Sequence, residues 1–567
     1  RFRWRTSPPV DPRLVLLPIN DDDIDHTGCI GQWPWPRSLH AGALTLLAEA
    51  GARAVILDLE FPSASVALDR SGKEALRDRV LGRLAELGEH VDKLSERVAA
   101  GSPPEVILEG LEEESNFLAR MAPEFRGNLA RMAPEHDEHL GRAVLAAGMV
   151  HLGYSFPTED AVPGPTSEPA PFSGLRSVRF PPGETLVPAV RAPRLTLPLA
   201  AIGSRAAGLG FVATDPDKDG SIRRQWALVA CRGSYYPSLV LDTFLVLCRA
   251  SRDLAQPEPG VLEIRRPGGG GLRFPVDRDG AVLVNWIRDP APTILPRGSP
   301  TYGEWAALAR DQREIMVQAS EIQTTLATRP NPWDTRIGQL LLEAMGWEGD
   351  PGADLGPEGI ARYRENQREL RSAVHDLLDD LRARVRLIRR QTRGTSPPRV
   401  LREKYWEDRN HLGELGKEWR KVQHRLALLQ RRVRDKIVLV GMCATGSTDI
   451  KATPVDRALP GVYLHVSLLN QFLTGKFLWP VPAAWEPVLI VLLALLAGGA
   501  GMMRSSLGGA LAIVALLVGY AAAGCYAFDR EGRILPMFGP LAAAALSAGA
   551  ITIYRGFTEG REKRYLR

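Results

Sequence analysis

The sequence predicts an α/β domain with a mixed sheet, interrupted by two long helical coiled-coil insertions and followed by a bundle of three transmembrane helices. Three observations carry that reading. Short, continuously apolar runs alternate with helical stretches across much of the first 480 residues, and two blocks combine dense charge with apolar residues at three- and four-residue steps. Nearly all the long apolar runs lie beyond Pro480. The 567 residues leave room for about four units at roughly 150 residues each. Charged residues at 24% and hydrophobic residues at 45% rule out wholesale disorder. Lys+Arg 71 against Asp+Glu 66 leaves +5, too small a surplus over this length to argue for nucleic acid.

Leu14 to Ile19 (LVLLPI) reads as the first strand and ends in the run Asn20-Asp21-Asp22-Asp23. A helix over 37–50 follows, stopped by Gly51, and Ala54 to Leu59 forms a second strand. A helix over 137–147 leads to a strand at 150–154; much later, Lys436 to Val440 (KIVLV) forms a further strand and 462–473 a helix. Strands apolar throughout and alternating with helices argue for a parallel sheet covered on both faces. Between them, 211–214, 222–230, 261–265, 272–276 and 281–286 read as antiparallel strands, with Asp-Gly turns at 219–220 and 279–280.

The first insertion covers 67–135, where Val80, Leu84, Leu87, Val91, Leu94 and Val98 step by four and three. LARMAPE occurs there twice, at 118–124 and 129–135, too few copies for a solenoid. The second insertion covers 304–433. Leu370, Val374, Leu377 and Leu381 form one seam, Leu412, Leu415, Trp419, Val422, Leu426, Leu429 and Val433 another, with a turn at 395–398 (TSPP) between them. These suggest an antiparallel hairpin. Two readings stay open: the hairpin lies on its own domain, or it projects as an arm that joins subunits or grips another protein. The organisation is therefore 1–66, 136–303 and 434–482 as one split domain, 67–135 and 304–433 as insertions, 483–555 as membrane helices and 556–567 as a stub.

Trp485 to Met503, Leu507 to Phe528 and Phe538 to Tyr554 are each long enough to cross a hydrocarbon core about 30 Å thick. The basic residues Arg555, Arg561, Lys563, Arg564 and Arg567 place the end of the third in the cytoplasm, with the turn at 504–506. Residues 529–537, and everything before Trp485, then face outward.

In open α/β sheets ligands bind outside the carboxyl ends of the strands. That rule nominates Asp21, Asp22, Asp58, Glu60 and Tyr154, with Trp35 as a stacking surface and Arg37 as an anion partner. The Trp-Pro-Trp-Pro-Arg segment at 33–37 more often serves to fix a loop at the mouth of the domain, and that is the stronger reading. Asp215, Asp217 and Asp219 open like a calcium loop, but Trp226 stands where the twelfth-position Glu belongs, and a hairpin turn is the stronger reading. Gly441 to Thr448 nearly reads as a phosphate-binding loop, yet Ser447 occupies the lysine position, so a structural turn is expected. The five cysteines contain no C-x-x-C pair, which excludes a zinc ribbon; a Cys231–Cys248 disulfide stays open for an extracytoplasmic region. No spacing nominates a nucleophile, a catalytic metal or a cofactor.

Several motifs carry a family resemblance. Asn20-Asp21-Asp22-Asp23, Gly31-Gln32-Trp33-Pro34-Trp35-Pro36-Arg37, Gly51-Ala52-Arg53-Ala54-Val55 and Asp58-Leu59-Glu60-Phe61 come first. DEHLGRA at 137–143, Gly210-Phe211-Val212, Asp219 to Arg224, Pro237-Ser238-Leu239, KIVLVG at 436–441, Asp449, Thr453-Pro454 and Pro460 to His465 follow in order. The series resembles the type 2 CHASE (cyclase/histidine-kinase-associated sensory extracellular) domain of bacterial transmembrane receptors, and the two insertions depart from its pattern. The resemblance implies a sensor without enzymatic activity of its own. It also implies one further span upstream, which fits a chain beginning Arg1-Phe2-Arg3 without an initiator Met, and a cyclase or kinase output after Arg567. The expected protein is a multi-pass inner (cytoplasmic) membrane receptor with a periplasmic or extracellular sensor. Its expected partners are the lipid bilayer, a second copy in a homodimer or higher oligomer, a protein on the coiled-coil arms and an unknown small-molecule ligand. A scaffolding subunit of a cell-envelope complex is the alternative.

Overall fold

The computed structural model describes residues 6–24, 33–63, 136–157, 172–181, 189–287, 300–327, 357–391, 399–445 and 449–565, isolated positions within them excepted, and a few positions between 93 and 100. The first insertion's seam, its LARMAPE copies and the turn at 395–398 lie outside these residues.

In chain order the elements are β1 (Leu14–Ile19), α1 (Arg37–Glu49), β2 (Ala54–Asp58), α2 (His136–Ala147), β3 (Val150–Tyr154), β4 (Gly208–Phe211) and α3 (Leu239–Leu247). Then come α4 (Tyr302–Ala327), α5 (Pro357–Gln391), α6 (Arg399–Val433), β5 (Ile437–Met442), α7 (Val462–Thr474), α8 (Trp485–Gly501), α9 (Ser506–Tyr526) and α10 (Phe538–Tyr565).

The central sheet runs β1-β5-β2-β3-β4, with every neighbouring pair parallel. β5, the last of the five in sequence, therefore lies second in space. Because side chains alternate across a strand, each apolar run feeds two cores. Val55, Leu57, Val438 and Val440 join α1, α2 and α4 on one face; Ala54, Ile56, Ile437 and Leu439 join α3 and α7 on the other. Burial on both sides is why these strands read as unbroken apolar runs rather than alternating ones.

The expected mixed sheet is corrected by this topology. The antiparallel strands form separate small sheets, the largest comprising Leu254–Glu258, Val261–Arg265 and Gly271–Pro275. Their one buried side accounts for the separation: Leu262, Ile264 and Phe274 face inward, and Phe274 meets Phe472 of α7 at 5.2 Å between ring centroids. They add a layer over α7 instead of widening the parallel sheet.

The second insertion uses its seams inward. Leu370 and Val374 on α5 and Leu415, Trp419, Val422, Leu426, Leu429 and Val433 on α6 are all buried, in the same cluster as the α1–α2 face of the sheet. Arg371 pairs with Glu49, Arg364 donates to the Ala146 carbonyl, and Arg425 meets Glu304 at 2.9 Å. For these positions the hairpin lies on its own domain. The side chains of Leu377, Leu381 and Leu412 are outside the described residues.

Of the three apolar segments, one helix, Leu507–Glu531, is long and apolar enough by length and composition to cross a membrane. α8 is apolar but only 17 residues long, and the first half of α10 is built mainly from Ala, Gly and Ser, which add little hydropathy. Small residues do allow close approach between α8 and α10. A Cβ on Gly498 would lie 3.1 Å from both Ile551 and Ser547, and the Ser547 hydroxyl donates to the Ala494 carbonyl at 2.8 Å. Between α9 and α10, Arg533–Ile534 pairs in parallel with Trp479–Pro480, just before α8. The Thr6 amide and hydroxyl donate to Asp529 at 2.8 and 2.7 Å, so the entry to β1 meets the same loop.

Candidate functional site

A cleft of about 560 Å³ opens at the carboxyl ends of β2, β4 and β5. β2 brings Asp58 and runs on into Leu59 and Glu60; the chain beyond β4 brings Val212 and Thr214; β5 and the loop after it bring Met442, Ala444, Thr445, Asp449 and Lys451. Gly461, Leu464 and His465, at the start of α7, with Ile24 and Trp33, complete the lining.

The register explains why these residues meet. Asp58 lies opposite Gly441 across the β2–β5 pair, and Gly441 leaves no room for a side chain because its Cβ would fall 2.6 Å from Val462. α7 therefore starts hard against the strand ends and sets the His465 ring beside Asp58, Nε2 to Oδ1 at 3.4 Å. Gly461 is held as closely: its amide donates to the Asp449 carbonyl at 2.8 Å, and a Cβ there would fall 2.2 Å from the Asp449 carboxylate.

The electrostatics are those of partly enclosed acids. Burial, reinforced by neighbouring carboxylates, raises Glu60 and Asp449 above the usual range, despite a hydrogen bond from Ser155 to Glu60 and the Lys451 ammonium beside Asp449. Burial disfavours a charged His465, but Asp58 and Asp449 outweigh it and its pKa is raised. Burial, with Asp58 and Asp449 nearby, pushes the Cys443 thiol up to about 12, so it carries no thiolate at neutral pH.

Of the residues nominated from the sequence, Asp58 and Glu60 line the cleft. Asp21 stands at its edge, accepting from the Thr445 amide at 2.7 Å and hydroxyl at 2.9 Å. Asp22 is exposed and outside the lining. Trp35 is buried, 6.4 Å from the Tyr302 ring and 5.3 Å from Trp33; it fixes the loop, while Trp33 reaches the cleft. Arg37 is taken up by Asp137, the Ser63 carbonyl and the Phe61 ring, so the anion-partner expectation is corrected: its charge is already matched. Tyr154 is fully buried against Phe211, below the rim, and is likewise corrected.

Asp217 and Asp219 serve a hairpin: Arg223 binds both, Arg224 reaches Asp217 at 3.4 Å, and Gly220 turns the chain at φ +76°. The Arg223 guanidinium holds the Asp219 carboxyl down to about 2. Two arginines thus occupy the charge a calcium ion would neutralise. After β5 the described chain leads to a two-residue strand at Ile450–Lys451, and the next helix starts only at Val462, so Gly441 serves strand–helix packing rather than a phosphate loop. Cys231 and Cys248 are both free thiols. Among the described residues no group of three or more His, Cys, Asp or Glu is placed to hold a metal ion.

Thr214, Asp449, Lys451, Leu464 and His465 were not nominated from the sequence as site residues. The placement of Gly461 and His465 straight after a buried strand was a signal, but only β5's place beside β2 turns it into a site.

The CHASE2 domain family model matches residues 1–311 and 378–500. The chain belongs to the CHASE2 family. CHASE2 domains are extracytoplasmic sensory domains of membrane receptors, which agrees with an apolar helix following the domain. The CHASE2 match leaves out 312–377, inside the second insertion, and reaches through α7 into α8. No curated protein and no solved structure matched the chain.

Proposed function

We propose that this chain is the sensing and membrane portion of a multi-pass receptor of the inner membrane. The cleft binds a small molecule, α7 carries the bound state to the membrane junction, and the helices pass it, in a dimer, to a cytoplasmic cyclase or kinase beyond Arg567. The observation that carries the reading is the reach of α7. Leu464 and His465, near its start, line the cleft. About a turn and a half on, Asn470 accepts from the Asp11 amide at 2.9 Å and donates to the Pro9 carbonyl at 3.0 Å, gripping the entry to β1. Gln471 accepts from the Asn285 amide at 2.8 Å, and the chain then runs through Trp479–Pro480 into α8. One helix thus touches both the cleft and the entry to β1, whose Thr6 meets the α9–α10 loop, and leads on in sequence to α8. Signalling further needs two states that differ in ligand affinity.

The contacts of the helices support three crossings. α9, with 21 residues at 1.5 Å, spans about 31 Å. The 529–534 loop pairs with the sensor at one end of the bundle, and Arg555 donates to the Gly501 and Met503 carbonyls at the other. In membrane vesicles of a cysteine-replaced chain, Lys476→Cys and Glu531→Cys are expected to react with an impermeant maleimide from the sensor side. Gly556→Cys should react only after permeabilisation; labelling of all three from one side would overturn the topology. The scaffold reading keeps less support, since the described seams of α5 and α6 are used within the domain.

A further inference from the structure

We propose that the cleft recognises a small organic cation, an alkylammonium group on a short apolar body, with Glu60 as its counter-ion. The inference rests on the cleft being the ligand site and adds the chemistry of what enters it. Three carboxylates line the cleft, and two have a basic partner within it: Asp58 the His465 ring at 3.4 Å and Asp449 the Lys451 ammonium at 3.4 Å. Glu60 has the Ser155 hydroxyl at 2.8 Å and, among the described residues, no cation. An anion entering this space would add to three carboxylates, whereas an ammonium group completes the third pair.

The remaining surface fits the rest of such a ligand. Trp33, Val212, Met442 and Leu464 supply an apolar wall around the acids, and an aromatic ring is a favourable neighbour for an ammonium group. His465, which lines the same cleft, is only 4% exposed, and its Nδ1 has no hydrogen-bond partner among the described residues. The raised pKa of Glu60 follows from the same geometry, with Asp58 and Asp449 adding to burial and Ser155 opposing it. An arriving cation reverses that shift, so uptake releases a proton and affinity rises with pH through the Glu60 titration. His465 and Lys451 face the same space from α7 and the β5–α7 loop.

The test uses the full chain in detergent micelles, titrated calorimetrically with butylammonium and with butyrate, its anionic isostere. Butylammonium is expected to bind and butyrate not, and Glu60→Gln to weaken butylammonium at least tenfold with the fold retained by circular dichroism. Equal or preferential binding of butyrate, binding of calcium in place of the amine, an unchanged affinity in Glu60→Gln, or no binding of butylammonium overturns the proposal. Thr214→Trp, which fills the mouth of the cleft from a half-exposed position, separates the two readings. If it abolishes binding of any probe, the cleft remains the ligand site even where the cation preference fails. If butylammonium still binds Thr214→Trp as tightly, it binds elsewhere, and both readings fall.

Discussion

His465 carries opposed demands: its burial disfavours charge, while Asp58 and Asp449 favour it and prevail. A histidine whose folded-state pKa lies above its ordinary 6.5 contributes stability that is fully present below that value and lost as pH rises through the raised one. His465→Asn should therefore melt below the wild type at pH 6, with the gap closing by pH 9; a gap independent of pH would show that packing, not charge, holds the ring. At this scale the sequence disclosed which acids end apolar runs, and Asp58 and Glu60 were legible for that reason. It did not disclose which charges are already matched. Arg37 looked available only because its partner Asp137 lies 100 residues away. Tyr154 looked like a rim residue because the depth of a strand end depends on what is packed above it.

Among the elements, α7 is the one whose loss of contacts should uncouple the domain. Asn470→Ala leaves the Asp11 amide and the Pro9 carbonyl without their partners, at about 1–3 kcal/mol. Faster hydrogen exchange confined to residues 6–13 and 462–475 is the expected sign; exchange rising evenly through the domain would mean that α7 is not the link. For α6, Trp419 is 4% exposed, and Trp419→Ala should cost about 3–5 kcal/mol in chemical unfolding. A cost below about 1 kcal/mol would return the hairpin to the status of a free arm. The three- and four-residue steps predict helices with apolar seams, and α5 and α6 run there with their described seam residues buried. Periodicity reports that a helix has a face to bury, and it is silent on whether the burying surface is a partner protein or the helix's own domain.

For the molecule as a whole, the α8–α10 contact is the most extensive joint among the C-terminal helices. Gly498→Leu would drive a side chain into Ile551 and Ser547, and thermal unfolding in micelles should report a loss of about 1–3 kcal/mol. An unchanged midpoint would mean that the two helices are held elsewhere. The parallel sheet and its two-sided burial were legible from unbroken apolar strands, because only burial on both faces permits such runs. The strand order was not, since an apolar hexamer such as Ile437–Met442 fits any interior lane of a parallel sheet equally well.

That late arrival in an inner lane has a consequence for how the chain is made. β1 and β2 lie 40 residues apart in sequence at their first positions, 14 and 54, yet neither touches the other in the sheet; each waits for a segment more than 400 residues downstream of β1. During synthesis the sensor can collect α1, α2 and their strands early, but it carries an open slot until residue 442 has emerged. The residues that close it are followed at once by α7 and α8. The sensor thus finishes folding in the same interval in which the first apolar helix after it is delivered, and a chain stopped before β5 would expose two unpaired strand edges.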